Sequence, residues 1–148
     1  MAAGSIYSLK HVDYTERGQQ VEIIVDGSPK IQTVIFTGTD CFGEIYYFPE
    51  EGLRYITDSR LDRSRQKFVL HYLDKIPKTL KAPILFGHNL KEPDNFIYLQ
   101  KYAIKEHHNS NELLAVVLKK SNINVVWNFY WIEDEKLPSH VEILQRFK

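Results

Sequence analysis

Cysteine, clustered glycine and long apolar runs are all scarce in this 148-residue chain, and each shortage removes a class of explanation. With Cys41 alone, no disulfide can form within the chain, which suits a reducing compartment. No partner motif marks Cys41 as a nucleophile, and its ordinary reading is a plain buried or loop thiol. Seven glycines scattered singly leave no GxGxxG and no GKT or GKS run, so no phosphate-cradling loop is encoded. No stretch approaches the about 18 apolar residues of a membrane span, and the opening MAAGSIYSLK lacks an apolar core with a cleavage site. The expectation is a cytoplasmic chain with no membrane contact. His107 and His108 are adjacent and would point to opposite faces of a strand, so with one thiol they make no zinc pattern, and neither a metal nor a cofactor is expected. No GxSxG elbow supports a serine nucleophile. Metal-free acid–base chemistry by His, Lys, Arg or Tyr remains, or no chemistry at all.

Net charge is also lacking, but only in total. Residues 1–59 carry 4 Lys/Arg against 9 Asp/Glu, a net −5, while residues 60–120 carry 12 against 6, a net +6. The basic middle also holds His71, His88, His107 and His108. Such a segment can face a polyanion, which makes RNA a candidate partner. The bland alternative is that the acidic first half packs beside the basic middle and the two fields cancel.

The length suits one domain spanning 1–148, with a core large enough to need no covalent staples. Val21, Ile23 and Val25 alternate along a first strand; Asp26-Gly27-Ser28-Pro29 is a turn, and residues 31–37 are mostly β-branched or aromatic, which predicts a hairpin. A strand over 44–48 ends at Pro49, and residues 7–14 supply one more strand, giving an N-terminal antiparallel meander. Helical spacing starts at Ser59, whose separation from Asp62 fits a capping box, and Leu61, Phe68, Tyr72 and Ile76 continue it until Pro77. The opposite stripe carries Arg60, Ser64, Lys67, His71 and Asp74, with Arg63 at its edge. Beyond Pro83 the period returns to two, and residues 96–105, 112–120 and 122–132 form a second antiparallel meander. In the last of these, Ile123, Val125, Trp127, Phe129 and Trp131 share one face. Ser139 and Glu142 repeat the capping-box spacing, which predicts a short C-terminal helix. The expected class is α+β.

The run DKIPKTLKAPILFGHNLKEPDNFIYLQKY from Asp74 to Tyr102, then ELLAVVLKK from Glu112 and INVVWNFYWI from Ile123, resembles the phage- and toxin-associated small nucleases of the barnase/EndoU/colicin/RelE-like superfamily. The likeness spans about residues 60–132, within a nuclease-like portion of about 59–132: a helix, a connection of the form Thr-Leu-x-x-Pro, and a meander of three or four strands. It implies metal-independent cleavage of RNA, with catalytic groups on the first helix and on the facing side of the sheet.

The residues give the same chemistry a physical sense. Cleavage by attack of the 2′-hydroxyl needs a base, an acid and a cation for the phosphorane, and histidine titrates nearest neutrality. His71 is the candidate base or acid, and Arg60, Arg63 and Lys67 beside it, with His107 in the polar loop, are the candidate substrate contacts. Lys101, on the polar side of a strand, is the second candidate catalytic residue, able to stabilise developing charge; an exposed strand lysine also serves to protect a sheet edge. Tyr98, Tyr102, Tyr130, Trp127 and Trp131 can stack on unpaired bases, but the row Trp127, Phe129, Trp131 is also what a sheet needs to pack on a helix. The function expected is an endoribonuclease-like protein that cleaves or binds RNA. The alternative is a non-enzymatic partner, immunity- or antitoxin-like, whose acidic first half binds a basic toxin.

Overall fold

Eight strands hydrogen-bond into one sheet in the order β1-β2-β3-β7-β6-β5-β4-β8. The structure, a computed structural model, describes residues 20–25, 28–54, 73–102, 112–120 and 123–147. The strands are β1 (Gln20–Val25), β2 (Ser28–Thr39), β3 (Ile45–Pro49), β4 (Leu85–Asn89), β5 (Asn95–Lys101), β6 (Glu112–Lys120), β7 (Asn124–Glu133) and β8 (Val141–Arg146). Among the described residues α-helix is confined to α1 over residues 50–54, α2 (Lys75–Lys81) and α3 (Leu137–His140). The molecule is thus mixed α/β and mostly strand.

The predicted hairpin is present, with Val25 opposite Ser28, so Ser28 and Pro29 open β2 instead of belonging to the turn. Pro49 closes β3 as its missing donor requires. The two meanders do not stand apart, however. β3 and β7 pair in parallel through Tyr46 with Asn124 and Tyr47 with Val125, and that one junction fuses them. Local sequence carries no sign of it, because the paired residues lie 78 positions apart.

Three further expectations are corrected. Pro77 does not end a helix. It sits in the first turn of α2, where its missing N–H would have no intrahelical acceptor. The stretch 59–72, on which the longer helix was expected, lies outside the described residues, as does the strand expected over 7–14. The chain closes on β8 and not on a C-terminal helix: after one turn of α3, Val141-Glu142-Ile143-Leu144 runs extended along β4. Ser139 Oγ, expected to cap a helix, instead donates to the carbonyl of Lys136.

The third correction concerns the row in β7. Leu118 faces Val126 while Val117 faces Asn128, so Trp127 is an extra residue, a bulge. The slip changes sides for everything after it. Val126, Phe129 and Trp131 join one core face, whereas Trp127 packs with Tyr130 and Ile132 on the other.

Both faces of the central strands are therefore apolar, and β6 is buried along Glu112–Leu118. On the first face, Tyr98, Leu114, Val116, Phe129 and their neighbours meet Leu73, Ile76 and Leu80 from α2 and the turn before it. Thr79 of α2 donates to the Lys75 carbonyl at 2.7 Å and lies 2.9 Å from the Tyr102 hydroxyl, which ties the helix to the end of β5. On the second face, Ile97, Leu99, Leu113, Ala115 and Val117 meet Leu137 and Val141.

Candidate anion-binding groove and the turn beside it

Register places the side chains of Lys101 and Arg146 on the same face. Across the sheet Arg146 faces Leu85, Leu85 faces Leu99, and Lys101 stands two residues beyond Leu99 and opposite Leu113. Opposed residues in antiparallel strands share a face, so both cations rise from the second core face near the sheet's β8 edge. There they border a cavity of about 380 Å³ lined by Ile84, Leu85, Lys101, Leu113, Asp134, Arg146 and Phe147. Its floor is apolar, and its charge is two cations against one carboxylate. Neither Lys101 nor Arg146 forms an ion pair among the described residues. An open groove with uncommitted cations over an apolar floor suits an anionic group attached to an apolar or aromatic body.

Lys101 is the only sequence-predicted site residue that the structure describes; it is exposed at the end of β5. Arg60, Arg63, Lys67, His71 and His107 all lie outside the described residues. Arg146, Asp134 and Phe147 belong to the groove and were missed. Arg146 was read as part of a helix, and only the pairing of β8 with β4 brings it beside β5.

The edge strand that carries Arg146 is held in two ways. His88 Nε2 lies 2.7 Å from Glu142 Oε2, and His88 Nδ1 lies 3.0 Å from the Asn89 carbonyl oxygen. The backbones also approach closely at Gly87, where a Cβ would stand 2.0 Å from the Glu142 carbonyl oxygen. A register shift between Phe86 and Gly87 bulges β8 at Leu144, which blunts an otherwise exposed edge.

Around the end of the sheet, on the first face, the turn after β2 presents Phe42. Asp40 is 1% exposed, and its carboxylate accepts three hydrogen bonds: Phe42 N–H and Glu44 N–H at 2.9 Å on Oδ1, and the Tyr98 hydroxyl at 2.6 Å on Oδ2. Gly43 takes the left-handed conformation, φ 80°, that closes the turn. Burial, and then the hydrogen bond to Asp40, raise the Tyr98 pKa far above the usual phenol range. Cys41, next in the turn, is pushed up by burial and by Asp40, against the pull of Lys81.

The acid and base of the two halves do meet. Glu44 pairs with Lys120 at 2.8 Å, and Lys120 also lies over the Phe96 ring at 4.7 Å. Asp40 serves the turn, Glu50 pairs with Arg54, and Glu51 accepts from Thr33 N–H. Every carboxylate described between residues 28 and 54 is thus engaged within the chain. Trp131 and Tyr98, considered above for base stacking, are buried, and Trp127 is capped by Lys119 at 4.8 Å.

Among the described residues no group of three His, Cys, Asp or Glu is placed to hold a metal ion, and no helix is long and apolar enough to cross a membrane. No family model, curated protein or solved structure matches the chain.

Proposed function

We propose that this chain is a cytoplasmic RNA-binding protein of the small-nuclease type, toxin- or phage-associated, that engages phosphate at the groove between Lys101 and Arg146. The observation that carries the reading is the pair of uncommitted cations on one face of the sheet, over an apolar floor. Cations free of carboxylate partners lose little on meeting a phosphate, whereas those in ion pairs must first give up a bond. Lys101 keeps its proposed role of stabilising charge at phosphorus, and His71 that of the proton-transfer group. The rival reading, an acidic first half that captures a basic protein, is less favoured because the carboxylates of residues 28–54 are engaged internally.

The test is a labelled RNA incubated with the protein in excess chelator. Retention of RNA with cleavage supports the nuclease form, retention without cleavage supports an inactive RNA-binding relative, and failure to retain RNA at low salt contradicts both. If cleavage occurs, His71→Gln should slow it by roughly 10²–10⁴-fold, the usual contribution of a positioned acid or base.

A further inference from the structure

The groove and the Phe42 turn lie on opposite faces of the sheet, yet one side chain belongs to both. Phe147 lines the groove beside Arg146, and its ring lies 6.2 Å from that of Phe42. Phe42 in turn packs edge-on against Phe86 at 4.8 Å, while the residue remains 44% exposed. Phe147 therefore links the cationic groove to the exposed aromatic side chain.

Two features set this ring apart from scattered surface hydrophobics. Its turn is fixed by a buried carboxylate making three hydrogen bonds, one of them to the phenol of Tyr98 beneath it. A rigid aromatic side chain presents its face at little entropic cost. The carboxylates beside it are also engaged within the chain. Lys81, held to Thr39 Oγ1 at 3.2 Å, acts on Cys41 next to Phe42, and Arg146 precedes Phe147 in the chain, while Glu44 is bound to Lys120 and Asp40 is buried. An exposed aromatic ring with cations nearby in the chain and in the adjoining groove suits a base with its phosphate.

We infer that the chain binds RNA as a single strand, with an unpaired base stacked on Phe42 and the adjoining backbone passing over the end of β8 to Arg146 and Lys101. This rests on the phosphate reading of the groove and adds to it a preference for unpaired strands. A duplex hides its base faces in its own stack and would meet only the cations.

Phe42→Leu keeps the apolar packing on Phe86 and removes the ring, and Phe42→Trp keeps a ring. Binding of a fluorescent oligouridylate and of an RNA duplex of equal length is measured by anisotropy, with thermal melts confirming that both variants are folded. Phe42→Leu should weaken oligouridylate binding by about 5- to 150-fold, the span of one base–aromatic stack, leaving duplex binding and its salt dependence unchanged. Phe42→Trp should bind as tightly as the parent or tighter. If Phe42→Leu binds oligouridylate like the parent while Lys101→Ala/Arg146→Ala weakens both RNAs, the single-strand inference is overturned and the groove stands. If the double variant also binds both RNAs unchanged, the groove reading falls as well.

Discussion

Replacing Asp40 with alanine removes the acceptor of three hydrogen bonds at once. The Tyr98 hydroxyl, on a residue that is 0% exposed, then has no water to turn to; leaving such a donor unsatisfied costs about 1–3 kcal/mol. The Phe42 and Glu44 amides lie in a part-buried turn, where water can replace the carboxylate, so about 0.5–1.5 kcal/mol each is appropriate. The expected loss for Asp40→Ala is about 2–6 kcal/mol. Asp40→Asn should cost less, about 1–2 kcal/mol, because its amide oxygen can still accept from the two backbone N–H groups and its NH₂ can donate to the Tyr98 oxygen. Tyr98→Phe removes only the charge-assisted bond, worth about 1.5–3 kcal/mol. Urea unfolding followed by tryptophan fluorescence measures all three, and the Asp40→Ala/Tyr98→Phe double variant should cost less than the sum of its singles by about 1–3 kcal/mol. Additive losses, or an Asp40→Ala loss below about 1 kcal/mol, would refute the claim that this carboxylate fixes the turn.

Alkali should unfold the protein for a reason the same residues supply. Tyr98, Tyr102 and Cys41 have native pKa values raised chiefly by burial, so above the ordinary values of 10.0 and 9.0 the unfolded chain releases protons that the native state retains. Stability is untouched below those values and falls above them, by up to about 1.4 kcal/mol per pH unit for Tyr98, and Tyr98→Phe should flatten that slope in pH-dependent urea titrations. Gly87→Ala places a Cβ against the Glu142 backbone, which must shift β8; a loss of several kcal/mol, about 2–4, together with weaker RNA binding through a displaced Arg146, is expected in the same assays. Glu44→Ala should change stability by only about 0–1 kcal/mol, since Glu44 is exposed and the Lys120 it pairs with only half-buried; a larger loss in urea titration would mean that the pair holds the turn more firmly than its exposure allows.

Local pattern made the two hairpin-rich regions legible, because period-two alternation and turn residues act over short spans. It could not reveal the joining of β3 to β7, which depends on residues far apart in sequence, nor the bulge at Trp127. Alternation in β7 looks unbroken, since both of its faces are apolar and a slip of one residue leaves the pattern intact. Leu85 to Asn89 went unread as a strand because it is a short run interrupted by Gly87 and His88. In β8 the spacing of Ser139 and Glu142 imitated a helix cap, and edge pairing to β4 prevailed. Lys101 was recognisable as a lysine on the polar side of a strand. Arg146 and Phe147 gain their meaning only from the neighbour that β8 finds, and Phe42 from a turn whose anchor, Tyr98, lies 56 residues away.

The salt dependence of RNA binding by the Lys101→Ala/Arg146→Ala variant addresses the phosphate groove itself. For a single strand each phosphate contact contributes about 0.7 to the slope of log affinity against log salt, so the double variant should be flatter by about 1.4 than the parent. Between about 50 and about 200 mM salt the parent should lose about sevenfold more affinity than the variant. A variant that weakens with salt as steeply as the parent would contradict the account, since the two cations would then not be meeting phosphate.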